Sequence, residues 1–270
     1  MRILQFLFWF LLLSAIAAPG QNQFEVLHAF TGGSDGGGLW GSLAFDTQGN
    51  LYGTTSGGGE YGFGAVFQLS PTGQHEWQET ALHSFCFDCG DGCDPQGSVT
   101  FDGFGNLYST TVSGGSYGWG TVFELTPGSD GWSETLLYSF SPQSGGAGSP
   151  SAGLIRDAKG NLYGGAGPVF ELVPGPTNWT EFVLHNFDAR NGDGSGAGTG
   201  LIMDSAGNLY GTTGYGGGRG NCMDHGCGTV YELQPKQIGV WGPGVKLWKE
   251  RILYRFGGIR YDGKSPAWGS

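Results

Sequence analysis

The most constraining feature of this sequence is a motif that recurs in a fixed order. The segment Leu43–Leu69 reads LAFDTQGNLYGTTSGGGEYGFGAVFQL, and related segments begin at Val99, Leu154 and Leu201. Between the copies lies a second recurring run that ends in phenylalanine, such as LHSF after the first copy. Landmarks that recur in one order indicate a repeat architecture, in which each copy forms one structural unit.

Each copy contains four runs of strand-like composition, which we name a to d in chain order. In the first copy these runs are Leu43–Asp46, Leu51–Thr55, Ala65–Leu69 and Glu79–Phe85. Aromatic and β-branched residues are frequent in them, as is typical of strands. Between runs a and b, Asp46 can bond the turn backbone and Gly49 allows a positive φ, so this connection predicts a hairpin. Pro71 predicts the end of run c, because proline cannot donate to a strand ladder.

Four antiparallel strands in a repeat of about fifty residues form the unit of a β-propeller blade. We therefore predict an all-β fold, a β-propeller of four-stranded antiparallel blades, with a β-solenoid and a sandwich as the alternatives. The predicted repeat domain covers residues 21–270, with repeats at about 43–85, 99–140, 154–187 and 201–256 and a lone N-terminal d-type strand at 24–30. Because the chain holds one more d-type run than it holds a–b–c sets, we expect it to be truncated at its C-terminus.

Residues 1–20 have the composition of a secretory signal peptide. Arg2 precedes an apolar run, 3–13, and the small residues at 14–18 offer a cleavage site. The run is shorter than the ~20 residues of a spanning helix, and an uncleaved N-terminal anchor is the alternative. We expect an extracellular or cell-surface location, with no membrane span beyond the signal peptide. A formal net charge of -11 argues against a nucleic-acid partner, which requires a basic footprint.

The cysteines fall into two groups. These are Cys86, Cys89 and Cys93 in one loop, and Cys222 and Cys227 in another. Export favours disulfides, so all of them are disulfide candidates, and we expect Cys222 to pair with Cys227. The first group is odd in number, so one of its thiols is left free or pairs elsewhere. Because His225 lies between Cys222 and Cys227, a zinc site is the alternative.

The combined pattern of the repeat is long and specific. It couples the phenylalanine-terminated run and a DxxGNLYGTT segment to a glycine loop and GTVFEL. This pattern resembles the Gloeo_Verruco extracellular tandem repeat of exported bacterial proteins over nearly all of residues 24–270. The matching residues of the first copy are Asp46, Gly49, Asn50, Leu51, Tyr52, Gly53, Thr54, Thr55, Gly64, Val66 and Phe67. The resemblance implies export and a propeller-like fold, and it implies no catalytic residue.

A four-stranded meander brings its d–a and b–c loops to one side, and these loops carry the Asp-Gly pairs and most aromatic residues outside the strands. Binding residues concentrate on loops held by a rigid scaffold. The candidate binding residues are Trp40, Tyr61, Tyr117, Trp119, Tyr215, Asp35, Asp91 and Asp193. Aromatic rings beside carboxylates suit sugar rings and their hydroxyls, so the predicted partner is a surface polysaccharide or another exported protein. For Phe63 and Trp119, packing between blades is the alternative.

Two repeated polar positions have structural interpretations. The aspartates of DxxGN are Asp46, Asp102, Asp157 and Asp204. A residue placed identically in every copy is typical of a shared hairpin turn rather than of a calcium site or a single acid–base site. Histidines recur at a d-run position that also holds tyrosine, namely His28, His83, His185, Tyr138 and Tyr254; this exchange favours a packed strand position. We predict no catalytic residue, no metal ligand and no cofactor, with calcium at 191–194 or 88–94 as the alternative.

The polar residues of the copies are nearly identical, and this similarity favours a binding scaffold over an enzyme. A propeller enzyme places unlike polar residues at one channel position of different blades. We therefore expect a non-catalytic, exported scaffold for binding or adhesion, with carbohydrate as the ligand. The alternative is a propeller enzyme, either a metal-assisted hydrolase or a polysaccharide lyase, whose site lies at the central channel. Three or more carboxylate or histidine groups converging there would favour the enzyme.

Overall fold

The computed structural model describes residues 25–73, 75–86, 90–141, 143, 145, 147–189, 192–218, 226–236 and 247–257. The predicted signal peptide lies outside these described residues, as do Cys89, Cys222 and His225. The described chain is all-β, and none of its elements is a helix long and apolar enough to cross a membrane. Its main strands form four antiparallel sheets of four strands each.

The strands follow the same order in every copy. Sheet 1 contains β1 (Ala44–Phe45), β2 (Leu51–Thr55), β3 (Ala65–Gly73) and β4 (Glu76–Ser84). Next come β5 (Gly92–Cys93), β6 (Thr100–Phe101), β7 (Leu107–Thr111), β8 (Ser113–Gly114), β9 (Thr121–Gly128) and β10 (Gly131–Ser139), of which β6, β7, β9 and β10 form sheet 2. Sheet 3 contains β11 (Ile155–Arg156), β12 (Leu162–Gly165), β13 (Val169–Pro174) and β14 (Trp179–His185). The last strands are β15 (Gly194–Ser195), β16 (Ile202–Met203), β17 (Leu209–Thr213), β18 (Tyr215–Gly216), β19 (Thr229–Lys236) and β20 (Leu247–Arg255), with β16, β17, β19 and β20 forming sheet 4.

Pro71 does not end β3, so the prediction that it marks the end of run c is wrong. β3 continues to Gly73, and Pro71 stands opposite Trp77 of β4. β2 pairs with β3 only as far as Leu69. Beyond that residue β3 has an unpaired edge, where a residue that lacks an N–H is tolerated. The same pairing recurs as Pro127–Trp132, Pro174–Trp179 and Pro235–Trp248.

The hairpin predicted from DxxGN is confirmed, and one carboxylate holds it in each sheet. In sheet 3, Asp157 accepts hydrogen bonds from the backbone N–H groups of Lys159 and Asn161, both at 2.9 Å. Its second oxygen accepts from the Asn161 side-chain amide at 2.9 Å and from the Tyr163 hydroxyl at 3.2 Å. Gly160 adopts a φ of +88° to close the turn. The same network surrounds Asp46, Asp102 and Asp204.

Replacing Asp157 by alanine is expected to lower the free energy of unfolding by about 2–3 kcal/mol, because buried donors lose a charged acceptor. Urea unfolding followed by circular dichroism measures this loss. The control is Asp130→Ala, since Asp130 lies on an exposed turn where it accepts one hydrogen bond from Ser129; that change should cost less than about 0.5 kcal/mol. Equal losses in the two variants would contradict the role assigned to the turn carboxylate.

Consecutive sheets pack face to face through buried apolar side chains. Tyr52 and Val66 of sheet 1 join Leu107 and Phe123 of sheet 2 in one cluster, and comparable clusters join sheet 2 to sheet 3 and sheet 3 to sheet 4. At each junction the phenylalanine that ends run d packs against an aromatic ring of the next sheet. These pairs are Phe30–Phe67, Phe85–Phe123, Phe140–Phe170 and Phe187–Tyr231. Sheets 2 and 3 thus bury both faces, and their strands need no polar alternation.

The described residues 25–30 form no strand, so the strand predicted at 24–30 is not found there. Leu27 and Phe30 nevertheless pack on the face of sheet 1 that points away from sheet 2, against Leu51, Phe67 and Leu69. The segment has the apolar contacts expected of a d run. It lacks strand pairing because no c strand lies beside it in the described chain.

Candidate functional site

The d–a and b–c loops of each copy lie against one another. Strand β5 of a d–a loop pairs with β8 of a b–c loop, and β15 pairs with β18 in the same way. A single bridge joins Gly37 to Gly57 at the corresponding place in the first copy. We call the surface built from these loops the loop face; it comprises residues 31–42, 56–64, 90–98, 112–120, 147–153, 192–200 and 214–218.

The aromatic residues predicted to bind a ligand are exposed on the loop face. Their exposed fractions are 60% for Trp40, 51% for Tyr61, 60% for Tyr117, 45% for Trp119 and 43% for Tyr215. Some of these rings are oriented by the chain: the indole N–H of Trp40 donates to Ser56 Oγ at 3.1 Å, and the Trp119 ring lies against Gly148 of the next loop. The loop face therefore presents oriented aromatic surfaces to solvent.

The predicted aspartates, in contrast, are engaged within the chain. Asp91 accepts the Gly92 N–H at 2.7 Å, and its Oδ2 lies 2.9 Å from Nε2 of His83. Its side chain is only 9% exposed. The equivalent pairs are Asp35–His28 and Asp193–His185, each with 3.4 Å between Oδ2 and Nε2. Of the predicted binding set, the aromatic rings are thus the part that the loop face offers to a ligand.

A glutamate from the following sheet joins each of these histidine–aspartate pairs. Glu250 Oε1 lies 3.9 Å from His185 Nε2, and ligand atoms of His185, Asp193 and Glu250 all lie within 4.8 Å of one another. Glu134 and Glu79 interact electrostatically with the two other pairs, but among the described residues the third group is the one whose ligand atoms lie this close together. We call these groups the junction triads: His28/Asp35/Glu79, His83/Asp91/Glu134 and His185/Asp193/Glu250.

The glutamates of the junction triads have raised pKa values. Burial raises the pKa of Glu134 to about 7; the charge of Asp91 adds to this shift and His83 opposes it. Burial, followed by the neighbouring carboxylate of Asp193, raises the pKa of Glu250 to about 7. Burial also raises the pKa of Glu79. Each triad therefore gathers carboxylates in a poorly solvated place, where a proton or a cation is favoured.

The second junction triad lines an open cavity of about 890 Å³ between β4 and β10. His83, Asp91 and Glu134 contribute to its wall, together with Tyr61 of the loop face. A solute that reaches the loop face can therefore reach this triad.

The junction between sheets 2 and 3 is built differently. Tyr138 takes the place of the histidine, and its hydroxyl donates to Glu181 Oε2 at 2.8 Å. The d–a loop of this copy, 141–153, contains no aspartate. The Tyr138 ring still packs edge-on against Phe140, as the His83 ring packs against Phe85. A direct hydrogen bond thus replaces the triad in the same backbone setting.

The segments that precede the first strands of the four sheets meet at one further cavity. Ser42, Ser98, Gly153 and Gly200 hold equivalent places in the four copies, and all of them line this cavity of about 490 Å³. The Ser42 N–H donates to Ser98 Oγ at 2.9 Å, which links the first two copies. The described residues that line the cavity include no carboxylate and no histidine. The convergence of such groups that the enzyme alternative requires is therefore not found in this part of the described chain.

Cys93 is the odd thiol of the first cysteine group. It is buried and free, and its sulfur lies 3.2 Å from Ser113 Oγ across the β5–β8 pair. Cys93 is therefore removed from the disulfide candidates. Cys222, the expected partner of Cys227, lies outside the described residues, as does Cys89, so the Cys222–Cys227 pairing and the zinc alternative at His225 stay predictions.

Sequence reasoning missed the junction triads. It assigned the histidines to packing and did not consider the glutamates, which come from the following copy. One signal could have revealed them: His83 and His185 are each followed by an Asp-Gly pair in the next loop, whereas Tyr138 is followed by none. The association is partial, because Tyr254 is also followed by such a pair, Asp262-Gly263.

Comparison with known proteins identifies a repeat family. The family model described as Gloeobacter/Verrucomicrobia repeat matches residues 16–166, which is more than half of the chain. The matched range includes sheets 1 and 2 and the first two strands of sheet 3. A search of curated proteins found no match.

Proposed function

This chain belongs to the Gloeobacter/Verrucomicrobia repeat family, and we propose that it is an exported, non-catalytic scaffold that binds polysaccharide outside the cell or at its surface. The observation that carries this proposal is the exposure of several aromatic rings on the loop face. Export is proposed from the composition of residues 1–20, which precede the described chain.

In the proposed architecture the four sheets are blades of a β-propeller. Two observations support this arrangement. Consecutive sheets bury apolar faces against each other, and the segments before their first strands line a common cavity. The loop face then forms one end of the propeller, as binding surfaces on rigid scaffolds commonly do.

The spacing of the aromatic rings favours a polymeric ligand. Tyr61 and Tyr117 hold the same repeat position, as do Phe63 and Trp119, so successive copies present a similar aromatic pair. Aromatic rings pack against the C–H faces of sugars while polar atoms bond the hydroxyls. A formal net charge of -11 disfavours an acidic polymer. We therefore propose a neutral polysaccharide.

An array of neutral and acidic polysaccharides, probed with the full chain, tests this function. We expect retention on at least one neutral polymer and about tenfold weaker binding after Tyr117→Ala, which corresponds to about 1.4 kcal/mol. Phe104→Ala is the control, because Phe104 is 88% exposed but lies in a DxxGN turn rather than on the loop face. Retention on no polymer, or equal binding by a Tyr61→Ala/Tyr117→Ala double variant and the unmodified chain, would refute the proposal.

A further inference from the structure

We propose that the third junction triad, His185/Asp193/Glu250, binds a zinc ion, and that the ion joins sheets 3 and 4. The histidine and the aspartate come from one copy and its following loop, whereas the glutamate comes from the last strand of the next sheet. This inference does not depend on the polysaccharide-binding function.

The ligand set and its spacing fit zinc. Zinc is bound by imidazole nitrogen and carboxylate oxygen, and sites with three protein ligands leave a position for water. Ligand atoms placed tetrahedrally at about 2.0–2.1 Å from zinc lie about 3.4 Å apart. In the third triad, Nε2 of His185 lies 3.4 Å from Asp193 Oδ2 and 3.9 Å from Glu250 Oε1. The first triad has the same 3.4 Å separation between its histidine and its aspartate.

Several ligand atoms of the triads are buried without a hydrogen-bond partner. They are Glu79 Oε1, Glu134 Oε1, Glu250 Oε1, His28 Nε2 and His185 Nε2. Buried polar atoms are ordinarily paired, so each exception calls for an explanation. In the third triad, coordination to one cation would satisfy Glu250 Oε1 and His185 Nε2 together.

Groups around the triads hold the ligands in place. The Gly92 and Gly194 N–H groups donate to the preceding aspartates, at 2.7 Å and 2.6 Å. Each histidine ring packs edge-on against the phenylalanine two residues later, with centroids 4.5–4.7 Å apart in the three triads. Such outer contacts orient metal ligands and are a usual part of metal sites.

The junction at Tyr138 provides a built-in comparison. There the histidine and the aspartate are both absent, and Glu181 receives a direct hydrogen bond from the tyrosine. Tyrosine is therefore compatible with this strand position and with the adjacent phenylalanine. A histidine-to-tyrosine change in the third triad should remove the cation while leaving the fold intact.

The test measures zinc in the purified full chain after chelation, reloading with ZnCl₂ and dialysis, by elemental analysis and native mass spectrometry. His185→Tyr and Glu250→Gln should each bind one zinc fewer than the unmodified chain, and Tyr138→Phe, the control, should bind as many. Excess zinc at about 100 times its dissociation constant should raise the melting temperature by about 5 °C or more. Cobalt loaded in place of zinc should give a visible absorption band that weakens in His185→Tyr.

Two outcomes would overturn the proposal. One is that the chain takes up no zinc and that its melting temperature is the same with and without chelator. This result would mean that the clustered carboxylates are stabilised by shared protons rather than by a cation. The other is unchanged zinc content in both His185→Tyr and Glu250→Gln. Glu250→Gln is nearly isosteric, so it keeps the test decisive if the tyrosine variant fails to fold.

Discussion

Replacing Phe123 by alanine is expected to lower the free energy of unfolding by about 3–5 kcal/mol. Phe123 is fully buried in the cluster that joins sheets 1 and 2, and its ring packs against Phe85 with 5.1 Å between centroids. Alanine would remove this contact and leave a cavity between two sheets whose backbones are fixed by their own hydrogen bonds. Denaturant unfolding followed by tryptophan fluorescence measures the loss.

The matched control for this change is Phe104→Ala. Phe104 is 88% exposed in the turn of the same sheet, so its truncation should change stability by less than about 0.5 kcal/mol. Similar losses at Phe123 and Phe104 would mean that stability does not come from packing between sheets. A large loss at Phe123 alone would show that each sheet depends on its neighbour, as repeat proteins generally do.

Local patterns in the sequence were sufficient to predict β2 and the hairpin that precedes it. The run Leu51–Thr55 coincides with β2, and the turn that starts at Asp46 has the hydrogen bonds expected of an aspartate followed by glycine. Both features depend on residues close together in the chain. They therefore follow from composition and turn chemistry without knowledge of the tertiary structure.

Features that depend on a neighbouring strand could not be predicted in this way. Pro71 lies inside β3 because β2 ends before reaching it. The sequence of one strand does not reveal how far the neighbouring strand extends. Residues 25–30 resemble a strand in composition but lack a partner in the described chain. In both cases the sequence did not indicate which segment would lie beside the strand and pair with its backbone.

The candidate site shows the same difference between local features, which could be predicted, and contacts between sheets, which could not. Exposure of the Tyr117 ring could be anticipated, because the ring lies in a glycine-rich loop. The meeting of His83 with Glu134 could not, because these residues belong to different sheets and their approach is set by packing through Phe85 and Phe123. His83, which the sequence analysis assigned to packing, does pack against Phe85. This contact orients its imidazole toward Asp91 and Glu134.

Gly120 allows two neighbouring copies to approach closely, and the Gly120→Ala variant tests this role. Gly120 has a φ of +87°, and a Cβ there would overlap the carbonyl oxygen of Thr111 and lie 3.0 Å from Cδ of Pro150 in the next loop. A left-handed conformation costs an L-residue about 1–2 kcal/mol, and forced displacement of packed atoms adds about 1–3 kcal/mol. We therefore expect a loss of about 2–5 kcal/mol in the free energy of unfolding.

Gly118, in the same loop, separates these two costs. It has a φ of +76° with open space around a Cβ, so Gly118→Ala should show only the conformational part, about 1–2 kcal/mol. Both variants are compared by denaturant unfolding under one set of conditions. A larger loss at Gly120 would mean that its glycine lets the b–c loop lie directly on β7 and on the following d–a loop. Equal losses would show that backbone conformation alone selects glycine here, and the close approach between the two copies would then contribute nothing to stability.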